Sequence, residues 1–246
     1  MADKYFAVPQ GKVYIATRNT TGLTSGYEYI GDTDGFTITT SQQFLDIQES
    51  YSGNRVTVAH IPTSTDMALE LSILNVDAAN LAKAYNGDLV TTAAGSVVGE
   101  THKAYLGKTI PLKYGNVSAV VVKEGATTLT VNTDYTVNAA GGSITITSTA
   151  TGITDGDTIT VDYTHTGGTK IRGLVNTGSD YSLYFEGKSK FDNKAQKAYI
   201  HRCALELAKT ISLIGTGVNK LVVGGKVLPA PEQTSGESQY MTYFQE

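Results

Sequence analysis

Apolar and polar residues alternate with a period of two over several stretches of the chain, as strands with one inward and one outward face require. Met67, Leu69, Leu71 and Ile73 alternate with Asp66, Ala68, Glu70 and Ser72, so two acids share the polar face. Val56, Val58 and His60 alternate with Arg55, Thr57 and Ala59, and Tyr181 to Glu186 alternates again. Strands are also predicted at Val13–Thr17 and Phe36–Thr40, the second with a polar continuation towards Ser50. Gly31 to Gly35 predicts a tight turn, because Asp34-Gly35 reaches positive φ at low cost. An Ala-rich run predicts one helix over Val76–Tyr85, capped by Asn75 or Asp77 and stopped at Asn86-Gly87. Residues 195–214 admit two readings. Ala195 to Lys209 is rich in helix formers, yet Tyr199, His201, Cys203, Leu205 and Leu207 alternate with Ile200, Arg202, Ala204, Glu206 and Ala208, which favours a long strand. Leu221 to Leu228 predicts a final strand pair around Gly224-Gly225.

Residues 88–115 read as loop-rich, with short apolar pieces at Val97-Val98 and Thr109 to Tyr114. The composition then changes. From Asn116 to Gly168 threonine is dense, and short strands are predicted at Ala119–Lys123, Tyr135–Val137, Ser143–Thr147 and Thr158–Tyr163. Gly141-Gly142 and Asp155-Gly156 mark turns between them, so 116–168 is expected to be a compact β-sandwich module. From Thr169 the chain regains the character of its first 115 residues, which makes the module an insertion in a domain of residues 1–115 and 169–246. Residues 1–12 and 229–246 lack strand periodicity but carry Tyr5, Phe6, Val8, Tyr240, Tyr243 and Phe244.

Composition narrows the function. The 246 residues include 19 basic and 23 acidic side chains, a net charge of −4, so the surplus that a dedicated nucleic-acid binder needs is missing. No apolar run reaches the roughly 18 to 20 residues of a membrane-spanning helix. Met1-Ala2-Asp3-Lys4 lacks the apolar core of a secretory signal. A single cysteine, Cys203, rules out an internal disulfide framework, and its apolar setting favours an inert buried thiol. His60, His102, His165 and His201 are too far apart in sequence for a metal-ligand pair. Asp32, Asp34 and Gly35 match part of a calcium loop, but Phe36 stands where a further oxygen ligand is wanted. Gly215-Thr216-Gly217 lacks the spacing of a phosphate loop before Lys220 and reads as a turn. No nucleophile elbow is present. No cofactor, no metal and no enzymatic activity are therefore expected. A structural or assembly role fits, as does a carbohydrate-binding or adhesin-type β-sandwich, since 15 tyrosines suit sugar stacking.

Three stretches carry a family likeness: Gly35-Phe36-Thr37-Ile38 running on to Gln42, Asp46 and Glu49; the strand Met67–Ile73 leading directly into the helix; and Tyr181–Glu186 followed by Lys197 to Ile214. In this order the chain resembles the major tail tube protein of long non-contractile-tailed bacteriophages. Its inserted stretch, with Asp134-Tyr135-Thr136-Val137 and Val161-Asp162-Tyr163, resembles an Ig-like module of phage tail proteins. The resemblance implies a mainly β fold, a β-sandwich with one flanking helix, made in the host cytoplasm and built into the virion tail. Six copies would form a ring whose inner strands close a β-barrel, and rings would stack around a tape measure protein, with terminator and tip proteins at the ends. Double-stranded DNA would later pass through without sticking, and no membrane is involved. On that reading Asp66 and Glu70, and less clearly Asp46 and Glu206, face the lumen and repel phosphates. Residues 1–12 and 229–246 would be arms that bury their aromatic residues on neighbouring subunits.

Overall fold

The fold, a computed structural model, is described for residues 9–246 other than 20, 177–178, 212–213, 215 and 235. Two compact units emerge, Met1–Asp88 with Ile171–Glu246, and Leu89–Lys170. The first holds strands β1 (Pro9–Asn19), β2 (Gly22–Leu23), β3 (Glu28–Tyr29), β4 (Thr33–Gln48) and β5 (Thr57–Ile73), then helix α1 (Ala78–Ala84). The crossing strand β6 (Asp88–Thr92) leads to β7 (Gly95–Lys103), β8 (Thr109–Pro111), β9 (Val117–Glu124), β10 (Thr127–Thr128), β11 (Tyr135–Asn138), β12 (Ser143–Ile146) and β13 (Thr158–His165). The returning strand β14 (Gly168–Arg172) pairs with β6, and β15 (Asp180–Ser189), β16 (Ala195–Leu205), β17 (Leu221–Val227) and β18 (Met241–Gln245) complete the first unit.

In the first unit one antiparallel sheet runs β2-β1-β15-β16-β17-β5-β4. β16 shares its outer edge between two partners: β17 covers Cys203–Leu205 and β18 covers Gln196–Ile200. The sheet folds over one core of Val13, Ile15, Leu71, Leu183, Ile200, Cys203, Leu221 and Val223, among others. These are the inward positions of alternating strands, as the period of two requires. β1 extends four residues before Val13, pairing Pro9–Lys12 with Ser189–Glu186, so residues 9–12 belong to the sheet and not to an arm. α1 packs Leu81 and Ala84 on this core. Asp77 caps it by accepting from the Asn80 N–H at 2.8 Å. Asn86 takes the left-handed conformation (φ 46°), and the Gly87 N–H reaches the Ala82 carbonyl at 2.8 Å, which closes the helix end.

Several local expectations are corrected. Asp34-Gly35 does not turn; it lies at a register shift inside β4, and Gly31 (φ 87°) makes the turn instead. Residues 57–60 and 66–73 are one strand, β5, which begins after Val56, and Pro62 is tolerated beside the shift at Gln43/Phe44. β16 is a strand, but it stops at Leu205, before Glu206. β17 runs straight through Gly224-Gly225; a Cβ on Gly225 would sit 2.8 Å from the Ala204 carbonyl, so close strand packing and not a turn calls for glycine.

The second unit has two sheets, β10-β9-β13-β7 and β11-β12-β8, enclosing Val122, Tyr135, Ile144, Ile146, Ile159 and Val161. Its strands β9, β11, β12 and β13 fall where the sequence places them. The boundary does not: the unit begins at Leu89, because β7 pairs with β13 and β8 with β12, so the stretch read as loops supplies a strand to each sheet. Short strands with few apolar residues hide such edges from a periodicity argument. Glu100 on β7 ties this unit together. It accepts from the Tyr163 hydroxyl and the Lys113 N–H (3.0 Å), and His102 Nε2 lies 2.8 Å from it. Burial pushes the Glu100 pKa up, but the bonds from Tyr163, His102 and Lys113 outweigh it and hold the carboxyl below the ordinary glutamate value. A depressed folded-state pKa stabilises above the unfolded value and is lost as pH falls through the folded one. Amide protection in β7 and β13, taken relative to the intrinsic exchange rate at each pH, should therefore fall as pH is lowered past the ordinary glutamate range. Glu100→Gln should weaken that dependence and, by disturbing the Tyr163 bond, cost about 1–3 kcal/mol at neutral pH.

Candidate functional site

The most unusual surface of the first unit is the outer half of the β4–β5 hairpin. The two strands pair from Thr33↔Ile73 to Gln48↔Thr57, but β17 accompanies β5 only over Ala68–Ile73. Beyond that point the hairpin is a free two-stranded ribbon, and every residue from Thr39 to Gln48 is exposed. Leu45, Ile47 and Ile61 share one face, and Phe44 stacks on His60 at 4.0 Å on the other. Val56, Val58 and Tyr51 add to this apolar tip, Tyr51 being 89% exposed. Among the described residues no strand pairs with the far edge of β4. A lone two-stranded ribbon is marginal in water, and a long open edge is a template for another strand. Periodicity makes this part of β4 merely polar. The signal that it misses is the set of apolar residues at 44, 45 and 47 facing 56, 58 and 61.

The predicted lumen acids separate. Asp66 and Glu70 do lie on the polar face of β5, opposite the core. Each has a cation beside it: Lys226 Nζ is 2.9 Å from Asp66 and Lys209 Nζ is 4.0 Å from Glu70. That face is thus of mixed sign and not purely acidic. Asp66 raises the Lys226 pKa through its hydrogen bond. Asp46 lies on the ribbon against His60, and Glu206 sits past the end of β16, its N–H bonded to the Gly224 carbonyl at 2.8 Å.

A row of tyrosines crosses the outer face of β3, β1, β15 and β16. Tyr29, Tyr14, Tyr184 and Tyr199 stand in register. Tyr184 stacks on Tyr199 at 4.5 Å and on Tyr14 at 5.7 Å. Tyr14 and Tyr184 both donate to Glu186, at 2.6 and 3.2 Å, and the Tyr14 bond is the main cause of a Glu186 pKa below the ordinary value. Lys12 covers the Tyr29 ring. The ring faces are thus spent on one another and on Lys12, which leaves little flat surface for a sugar.

Tyr5, Phe6 and Val8 lie outside the described residues. The C-terminal residues are no free arm: Tyr243 and Phe244 belong to β18, opposite Ala198 and Lys197. Their rings, with Tyr240, remain about half exposed. Five-residue β18 is too short for a clear period. Just before it, Glu232 pairs with Arg18, whose side chain is 2% exposed and also donates to the His201 carbonyl.

The remaining motifs are occupied structurally. Cys203 is buried, and burial pushes its thiol up to about 12, far from a reactive thiolate. Lys220 pairs with Asp34, and Gly215 lies outside the described residues. His165 stacks on Tyr114 at 4.0 Å and His201 Nε2 is 3.0 Å from Thr242. Among the described residues no three His, Cys, Asp or Glu side chains gather as a metal would need, and no helix is long and apolar enough to cross a membrane.

The chain is thus a mainly β protein whose distinctive surface is an exposed ribbon and an open strand edge. Residues 6–244 match the family model described as Protein of unknown function UCP028589, and the chain belongs to that family. No curated protein matches it.

Removal of residues 232–246 takes away both β18 and the Arg18 counter-ion. It should lower the melting temperature of the first unit, and Glu232→Ala alone should cost about 1–3 kcal/mol in a denaturant titration. A truncation that melts like the full chain would contradict these contacts.

Proposed function

We propose that the chain is a self-assembling structural subunit of a bacteriophage tail tube, joining copies of itself into stacked rings around a channel for DNA. The observation that carries the reading is the β4–β5 ribbon: it exposes apolar residues on both faces and, among the described residues, has no cover and no strand on its outer edge. Strand pairing between neighbouring copies would bury it, and closing the ring would remove the free edges. The family likeness of Gly35–Ile38, Met67–Ile73 and Tyr181–Glu186 supplies the ring and the tube, with six subunits, a tape measure protein inside, and terminator and tip proteins at the ends. The tyrosine row does not favour the carbohydrate-binding reading, because its ring faces are already stacked.

Electron microscopy and sedimentation of the purified protein test this directly. Rings or tubes should appear as concentration rises; a protein that stays monomeric up to about 1 mM, where even weak association registers, argues against the reading.

In such a tube the polar face of β5 lines the channel. Lys226 and Lys209 already temper Asp66 and Glu70 there, so the wall carries mixed charge that neither binds nor strongly repels DNA. Asp66→Lys with Glu70→Lys would leave four lysines on that face. Virions carrying both changes should eject DNA more slowly, with the defect relieved by added salt. Unchanged ejection would remove this face from the channel.

A further inference from the structure

On the inner side of the strands that carry the tyrosine row lies a cleft of about 770 Å3. Val13, Phe36, Ile38, Phe185, Ala198 and Met241 make its walls apolar. Gln196 also lines it and is 0% exposed, yet among the described residues neither its Oε1 nor its Nε2 has a hydrogen-bond partner. Such a group destabilises the isolated subunit and is rarely left so in a folded chain. Gly11 and Gly187 stand beside Gln196 on β1 and β15, where a Cβ would collide with the paired backbone.

We propose that this cleft receives the tip of the β4–β5 ribbon of a second copy of this chain, with the Gln196 amide bonding a main-chain peptide group of the inserted strand. A primary amide offers one acceptor beside donors, the complement of a peptide C=O and N–H. The apolar walls match the exposed Leu45, Ile47 and Ile61 of the tip. Each surface also carries a charge of either sign, Arg55 and Glu49 at the tip and Asp32 and Lys12 along the cleft, and among the described residues none of the four forms an ion pair. A chain cannot fill its own cleft in this way. Gly35 lines the cleft and Gln48 ends the same strand 13 residues on, which places the tip about 44 Å away along an extended backbone. The contact is heterologous, since tip and cleft are different surfaces, so copies joined by it close into a ring where the rotation between them allows and extend along the tube where it does not.

This inference rests on the self-assembly reading above, and the test separates the two. Gln196→Leu replaces an unpartnered buried amide with an apolar group of similar size. The dispersed subunit should melt at the same temperature or higher, while the concentration needed for assembly rises at least tenfold. A merely structural glutamine would give the opposite, a lower melting temperature with assembly unchanged. Leu45→Cys chains mixed with Tyr243→Cys chains should, under mild oxidation, form a disulfide between chains, with buried Cys203 standing aside. Assembled wild-type protein whose variants neither lose assembly nor cross-link overturns this inference and leaves the self-assembly reading intact. A cross-link that forms within one doubly substituted chain, or assembly that depends on residues 1–8 and not on Leu45, would give the cleft another occupant and also overturn it. Wild-type protein that never assembles overturns both.

Discussion

The outer edge of β16 has to be satisfied along eleven residues, and among the described residues two strands share it. β17 takes the Cys203–Leu205 end, β18 takes Gln196–Ile200, and the Leu228 N–H and Tyr240 carbonyl bridge the gap at Arg202 and His201. Backbone N–H and C=O groups buried without partners are costly, so this division governs the course of the whole sheet. One branch carries the sheet on through β17, β5 and β4. The other ends at once at β18. The sheet therefore folds over its own core and stays open along one side, and the cleft lies in that opening.

The same arrangement explains why the β4–β5 hairpin is stable at its base and exposed at its tip. Near Ile73 and Phe36 its inward side chains join the core. Past Met67, among the described residues, no third strand joins the pair. What remains are cross-strand pairs such as Phe44 with His60, each contributing only about 0.2–1 kcal/mol. Sixteen- and seventeen-residue strands with so little support point to cover supplied from outside the chain.

Much of this is legible in the sequence where one face of a strand is buried and the other is wet. The alternation at 66–73 follows from that rule, the strands of the 116–168 stretch from it together with their glycine turns, and the helix from its Ala-rich run with the cap at Asp77 and the stop at Asn86-Gly87. Where both faces are exposed, as at 41–48, or where an edge strand is short, as in β8 and β18, period two carries no information and the reading lapses into loop or tail. Glycines mislead in a different way. Gly224-Gly225 suggests a turn, whereas the structure uses the missing side chains for close approach. The pairing of Asp66 and Glu70 with Lys226 and Lys209 is out of reach of sequence, because it depends on β17 lying beside β5.

The two-unit division also sets an order of assembly for the chain itself. Leu89–Lys170 is contiguous and β7 to β13 pair only with one another, so it can complete its fold while the rest is still being synthesised. The outer unit cannot, because β1 waits for β15: Tyr14 meets Glu186 across 172 residues. A folded insert shortens that effective loop, since its ends are already held together by β6 and β14. Until β15 to β18 emerge, however, β4 and β5 have been made without the strands that seat their base. The nascent chain thus passes through an interval with an apolar ribbon and no enclosed core, when premature pairing with a neighbouring nascent chain is the main kinetic hazard.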